Sequence, residues 1–310
     1  MEALREPVVI EVGLNEAVSR QQHPAVPNAP DEIVADILAC ARAGASIVHF
    51  HARDPTTGEQ RCGDEALYRR VMAEVRAAGC DVMLYPTYEP FISDFERARS
   101  ERFGHVLALA DDPDLDVGIV PLDMGSVDFV WEEGGELSPI NEALPLDRSI
   151  YRNPFRTLVE MLREYDARDL IVSLAVFEPG HLRSSLALVR AGLPRHPVVK
   201  FFLSGHWLHG LLPEPESVHI YARMIERLAA RRRLAWFCAP TGLDSREAVD
   251  ELLRCAIAAG GHVRVGIGDT PVAAEGRCNA ELVAEAARLA AELGRDVAPP
   301  AEARRLLRTS

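Results

Sequence analysis

Short runs of apolar and β-branched residues alternate along this chain with longer stretches whose apolar positions recur every three to four residues. The first pattern predicts strands and the second helices. The strands are expected at Val8 to Val12, Ser46 to His51, Val82 to Tyr85, Val117 to Pro121, Leu170 to Phe177, Val198 to Leu203, Leu234 to Cys238 and His262 to Ile267. Helices are expected at Pro30 to Ala43, Glu65 to Ala78, Asp94 to Arg102, Pro154 to Tyr165, Leu182 to Ala191, Glu214 to Arg231, Ser245 to Ala259 and Asn279 to Leu293. Eight of each in strict alternation predict an α/β fold of one kind, a closed (β/α)8 TIM barrel.

The punctuation agrees. Pro30 stands near a first helical turn, Asp244 or Ser245 precedes Arg246-Glu247, and Gly44, Gly192, Gly260 and Gly294 follow helix ends. The competing architecture, a doubly wound open sheet, would favour a Gly-x-Gly-x-x-Gly turn after the first strand, and none is there. No repeat or linker divides residues 1–310, so the expectation is a single barrel domain, with its longest connection, about 123–153, placed as a lid, an interface or part of a site.

Chemistry in such barrels sits at the C-terminal ends of the strands. The residues there are strongly polar: Asn15 and Glu16; His49, His51 and Arg53; Thr87, Tyr88 and Glu89; Asp123 and Ser126; Glu178 and His181; Ser204 and His206; Thr241; Asp269 and Thr270. His49 and His51 are the most informative pair. A strand sends alternate side chains to one face, so both imidazoles aim at one point, as two ligands of a metal would. Hydrogen bonding to neighbouring loops is the plainer alternative. Arg231-Arg232-Arg233 ends a helix and precedes a strand, which puts it on the opposite rim.

Composition narrows the partners. The chain has 310 residues, 48% hydrophobic and 26% charged, which is globular rather than disordered, and its net charge of -13 disfavours nucleic acid and anionic membranes. Cys40, Cys62, Cys80, Cys238, Cys255 and Cys278 are scattered, with neither a disulfide framework nor a structural zinc spacing. Acidic residues and a proline at Met1 to Pro7 predict no signal peptide, and no stretch is long and apolar enough to span a bilayer, so a cytoplasmic location is expected.

Four segments, Pro24 to Ile33, His49-Phe50-His51-Ala52-Arg53-Asp54, Gly125 to Phe129 and Gly260 to Asp269, resemble the β-keto acid cleavage enzymes, among them the 3-keto-5-aminohexanoate cleavage enzymes. The likeness continues through Asn279 to Val283 and Glu292 to Arg295, nearly the whole chain. It implies a zinc-dependent (or other divalent metal) barrel, usually a homotetramer, that condenses a β-keto acid with acetyl-CoA as co-substrate to give acetoacetate and a new CoA thioester. It also implies metal ligands at His49 and His51, a site arginine at Arg264 and a catalytic aspartate at Asp269. Asn15, Glu16, Thr87, Tyr88, Asp123 and Ser126 are then candidates for binding substrate.

The chain departs from the family in three places. Where the family ends its last strand Gly-Leu-Glu-Asp with a metal-binding glutamate, this chain reads Gly266-Ile267-Gly268-Asp269. Glu16, Asp123, Glu178 and His206 compete for the vacancy, with His206 the best ligand by type. At the third strand Tyr85-Pro86-Thr87-Tyr88-Glu89-Pro90 replaces the family's small residues, so Tyr88 and Glu89 are expected to narrow the pocket for a different substrate. At the first strand Asn15-Glu16-Ala17 lacks the usual glycine. The implied mechanism has the metal as Lewis acid, Asp269 as general base and Arg264 holding Asp269 ionised, against the alternative that Arg264 and Asp269 form an ordinary ion pair. Two rival readings are an amidohydrolase-like hydrolase using His181, His206 and Asp269, and a catalytically inactive ligand-binding barrel.

Overall fold

The computed structural model describes residues 6–89, 98–143, 150–229 and 233–308. Eight parallel strands, β1 (Ile10–Gly13), β2 (Ile47–Phe50), β3 (Met83–Pro86), β4 (Ile119–Asp123), β5 (Ile171–Val176), β6 (His196–Ser204), β7 (Trp236–Thr241) and β8 (His262–Val265), make one sheet. Their order is β3-β2-β1-β8-β7-β6-β5-β4, and β3 and β4 lie side by side at the seam without a ladder. The (β/α)8 expectation is met. The helices are α1 (Pro30–Ala43), α2 (Glu65–Ala77), α3 (Gly104–Ala110), α4 (Phe155–Ala167), α5 (Pro179–Arg190), α6 (Pro215–Leu228), α7 (Arg246–Ala258) and α8 (Asn279–Glu292), followed by α9 (Pro300–Arg308).

Local chemistry explains the boundaries. At α1 the Glu32 carboxylate accepts from the backbone N–H groups of Asn28 (3.0 Å) and Ala29 (2.9 Å), while Ile33, Ile37 and Cys40 recur at helical spacing and are buried. At α7 the Ser245 hydroxyl accepts from Ala248 N–H at 3.2 Å, as the sequence pattern predicts.

Four expectations need correction. Of the helix expected at Asp94 to Arg102, residues 94–97 lie outside the described residues, Ala98–Arg102 forms a wide π-type turn, and the helix proper is α3. The helix expected to reach Arg231 ends at Leu228; Arg231 and Arg232 lie outside the described residues, and Arg233 pairs with Glu6. The helix expected from Leu182 begins at Pro179, where proline suits a first turn because it lacks the N–H that a helix start leaves unpaired. Finally, α9 was not expected, since nine residues carry too few apolar positions to show a period.

The barrel interior is layered. Val9, Ile47, Met83, Ile119, Ile171 and Val198 form an apolar floor, and Ala303, Leu306 and Leu307 of α9 close it from below. Above that floor Glu11, Tyr85, Lys200 and Arg264 are all buried, and above them the strand ends open into a cavity. The long connection after β4 folds over this mouth: Val127–Asp128 pairs with Ile150–Tyr151, Glu132–Glu133 with Glu136–Leu137, and Trp131 bridges to Trp207. Among the described residues no helix is long and apolar enough to cross a membrane.

The plug generates a test. Leu307 is fully buried in the floor, so Leu307→Ala is expected to lower unfolding stability by about 2–4 kcal/mol in urea titrations. Metal stoichiometry should not change, because the floor lies below the chemistry. A loss under 1 kcal/mol would mean that α9 does not seal the barrel.

Candidate active site

β2 ends by presenting His49 and His51 to the cavity, as its alternation requires. Their Nε2 atoms are 3.2 Å apart. His49 Nδ1 donates to the Tyr85 carbonyl at 3.2 Å and His51 Nδ1 to Gln60 Oε1 at 2.6 Å. Those acceptors fix the tautomers and leave both Nε2 lone pairs facing the cavity. His49 also stacks on the Tyr85 ring, with centroids 4.4 Å apart.

The third member of the cluster is Glu16. Its Oε1 lies 3.3 Å from His49 Nε2 and its Oε2 3.1 Å from His51 Nε2. Among the described residues these three form the one group of metal-ligand type whose donor atoms converge, all within 4.8 Å. Tetrahedral zinc with bonds of about 2.0–2.1 Å separates its ligands by about 3.3 Å, so the donor set and its spacing fit a divalent ion. Three electron-pair donors that face one another repel unless a cation sits between them. Without an ion, a proton takes that place: burial works against the Glu16 carboxylate, but His49, Arg264 and His51 hold it well below its usual range. Burial alone would lower His51; the Glu16 carboxylate overrides it, and His51 is pushed up to about 10.

Glu16 reaches this place at a backbone cost. Its φ is 34°, the left-handed region that residues with a side chain avoid. Two clamps hold it. The Arg53 guanidinium donates to the carbonyls of Asn15 (2.7 Å), Val18 (3.1 Å) and Glu16, and Asn15 accepts from His51 N–H (2.9 Å) while donating to the His51 carbonyl (3.0 Å). Gly268 makes the room: a Cβ there would lie 2.7 Å from Glu16 Cγ and 2.9 Å from Glu16 N. Gly268 therefore leaves empty the space that Glu16 fills from the neighbouring strand end.

Arg264 joins this cluster to Asp269. Its Nε and Nη2 donate to the two Asp269 oxygens at 2.8 and 2.9 Å, Nη1 donates to Glu11 Oε1 at 2.9 Å, and Nη2 also bonds Glu16 Oε1. Burial raises Asp269 to about 6 against the pull of Arg264, with Glu16 and Glu11 adding to the rise. A carboxylate poised there is a competent base near neutrality. Gly13 leaves the space in which Arg264 and Asp269 meet, and Gly266, at φ 147°, carries β8 past the Gly13 carbonyl where a side chain would collide.

The other expected site residues divide. Thr87, Tyr88 and Asp123 line the cavity. Tyr88 hydroxyl accepts from Asp123 N–H at 2.9 Å, Tyr151 hydroxyl bonds Asp123 Oδ2 at 2.5 Å, and Arg102 donates to Tyr151 at 3.0 Å. Asn15 and Ser126 do not line it: Asn15 is fully buried as the His51 clamp, and the Ser126 hydroxyl accepts from Asn153 N–H at 2.8 Å. His206 is not in the cluster. Its ring turns outward to Asp244 at 3.4 Å, because the chain bends at Gly205 and the backbone N–H of His206 is held by Ser204 Oγ. His181 Nε2 faces the Ser126 carbonyl at 3.3 Å, so the histidines of the hydrolase pattern do not meet. Glu89 is absent from the cavity wall, which leaves Tyr88 alone to narrow it.

Sequence reasoning passed over Glu11, Tyr85, Lys200 and Arg102. The first and third carried a signal, a lone charge at an inward-facing position of an apolar strand. The cavity they line or underlie is about 460 Å³, large enough for a small keto acid together with part of a second substrate. Its far wall is aromatic, with Phe129, Trp131, Phe177, Phe202 and Trp207.

Residues 7–308 match the beta-keto acid cleavage enzyme family. The chain is 27% identical, over 96% of its length and 93% of the relative's, to the 3-dehydrocarnitine:acetyl-CoA trimethylamine transferase of Rhizobium meliloti (strain 1021). It is 26% identical, over 94% and 93%, to the 3-keto-5-aminohexanoate cleavage enzyme of Fusobacterium nucleatum subsp. nucleatum. Among solved structures, the apo structure of ObcA superposes with a TM-score of 0.66 at 17% identity, covering 92% of this chain and 65% of ObcA, so the chain spans about two thirds of that protein. The ObcA complex with oxaloacetate gives 0.67 at 18%, covering 92% and 67%. The likeness to ObcA concerns the barrel; the match over residues 7–308 identifies the chain as a member of the beta-keto acid cleavage enzyme family.

Proposed function

We propose that this chain is a metal-dependent β-keto acid cleavage enzyme that uses acetyl-CoA, with the whole of 1–310 acting as one barrel. The observation that carries the reading is the convergence of Glu16, His49 and His51 beside the Arg264–Asp269 pair. The relatives' names support it: three of them couple acetyl-CoA to a keto compound, as in the 3-dehydrocarnitine, 3,5-dioxohexanoate and 3-oxoadipate transferases. We take the ion to be zinc, given two imidazoles and a carboxylate, and the assembly to be the family's usual cytoplasmic homotetramer.

When bound by those three side chains, the ion supplies Lewis-acid polarisation of the keto oxygen. The remaining work belongs to the protein. Asp269 takes a proton from C2 of the β-keto acid, the carbon between its keto and carboxylate groups, and that carbon adds to the thioester carbonyl of acetyl-CoA. Arg264 keeps Asp269 ionised in a dry site and fixes both its oxygens. Transfer of CoA to the original keto carbon and cleavage of its bond to C2 then release a new acyl-CoA and the enolate of acetoacetate, to which Asp269 returns the proton. The aromatic wall excludes water, which would otherwise hydrolyse the thioester.

Two measurements follow. Zinc titration is expected to show about one tight site per chain, weakened a hundredfold or more by Glu16→Ala and unchanged by His206→Ala. The reverse order would return the third ligand to His206. Incubated with acetyl-CoA and a panel of β-keto acids, the wild type should form acetoacetate and a new thioester, and Asp269→Asn should lose about 10²–10⁴-fold in turnover while still binding zinc. Turnover that survives Asp269→Asn would leave Arg264 and Asp269 as a structural ion pair.

A further inference from the structure

One buried cation remains unexplained by the reaction above. Lys200, at an inward position of β6, is 2% exposed and lines the cavity. Its ammonium donates to Tyr85 hydroxyl at 2.6 Å and to Glu11 Oε1. An ammonium has three hydrogens, so one is left for a third acceptor. On the adjacent strand Ser173 is 1% exposed, lines the same cavity, and its hydroxyl has no hydrogen-bond partner. β5 and β6 pair with Val198 opposite Ser173 and Lys200 opposite Ala175, so the two residues sit on the inner face one alternation apart. A buried hydroxyl without a partner is unfavourable, and a ligand oxygen relieves it.

The charges in the barrel favour an anion. Glu11, Glu16 and Asp269 are three carboxylates that face the buried cations Lys200 and Arg264, with the buried guanidinium of Arg53 bonded to the Glu16 carbonyl beside them. A divalent ion at Glu16, His49 and His51 leaves this interior with a net positive charge. Asp123 does not change the balance, because Tyr151 ties it to the buried guanidinium of Arg102. We propose that Lys200 and Ser173 are the seat of the substrate carboxylate. The inference rests on the function proposed above and adds to it a specificity-determining pair on β5 and β6.

The test is calorimetric titration of acetoacetate, without CoA, into the zinc-loaded full chain. Two variants are compared with the wild type. Ser173→Ala removes the hydroxyl with little risk to folding. Lys200→Met combined with Glu11→Gln removes the ammonium together with its partner, so no buried charge is orphaned and the net charge is unchanged. The expected result is a rise in Kd of about tenfold or more for the double variant and several-fold for Ser173→Ala, with one zinc per chain in each. If both variants bind acetoacetate within twofold of wild type while retaining zinc, the seat is overturned and the proposed function stands. If the wild type holds zinc but binds no acetoacetate, both fall. Should the double variant fail to fold, Ser173→Ala decides alone.

Discussion

One guanidinium organises the interior of this barrel. Arg264 is 3% exposed, and its three nitrogens reach Asp269, Glu11 and Glu16, which belong to β8 and its end, to β1 and to the loop after β1. Charges in such a place survive only when paired and hydrogen-bonded, since a lone ion would pay several kcal/mol of lost hydration. The arrangement is therefore nearly rigid. The groups around it are shaped to admit it: Gly13, Gly266 and Gly268 carry no side chain where the arginine, the passing strand and Glu16 need the room.

The exchange between Gly268 and Glu16 shows how such a network tolerates change. A metal reads the number, type and spacing of donor atoms and is indifferent to which strand supplies them. A carboxylate from the loop after β1 and one from the end of β8 can occupy the same volume, provided only one is present. Glu16 carries a φ of 34° to do so, and Arg53 and Asn15 hold the strained loop through backbone carbonyls and the His51 peptide. The stretch at the end of β2 thus contributes two of the three proposed ligands and the clamp that positions the third.

Much of this was legible in the chain. The alternation of apolar runs with helical periods was strong enough to show eight units, because each strand is buried on both faces and each helix on one. His49 and Arg264 fell at strand positions whose parity aims them inward, His51 one alternation further just past β2, and Asp269 in the turn that follows β8. What escaped was of two kinds. Glu11 and Lys200 were hidden inside apolar strands, where the parity of a single charged residue is visible but its partner, 189 residues away, is not. The third donor, Glu16, stood among four candidates, and the preference went elsewhere for a different reason: residue type favoured His206, yet the backbone at Gly205 turns that ring toward Asp244, and loop direction is not written in spacing. The short α9 and the wide turn at Ala98–Arg102 likewise depend on tertiary packing rather than on local period.

Burial and ligand geometry both support the proposed divalent cation between Glu16, His49 and His51. Anomalous diffraction from crystals of the zinc-loaded protein locates that ion directly. The account predicts a single strong peak about 2 Å from Glu16 carboxylate oxygen and from the Nε2 atoms of His49 and His51. A peak at His206 and Asp244 instead, or none at the barrel mouth, would contradict it.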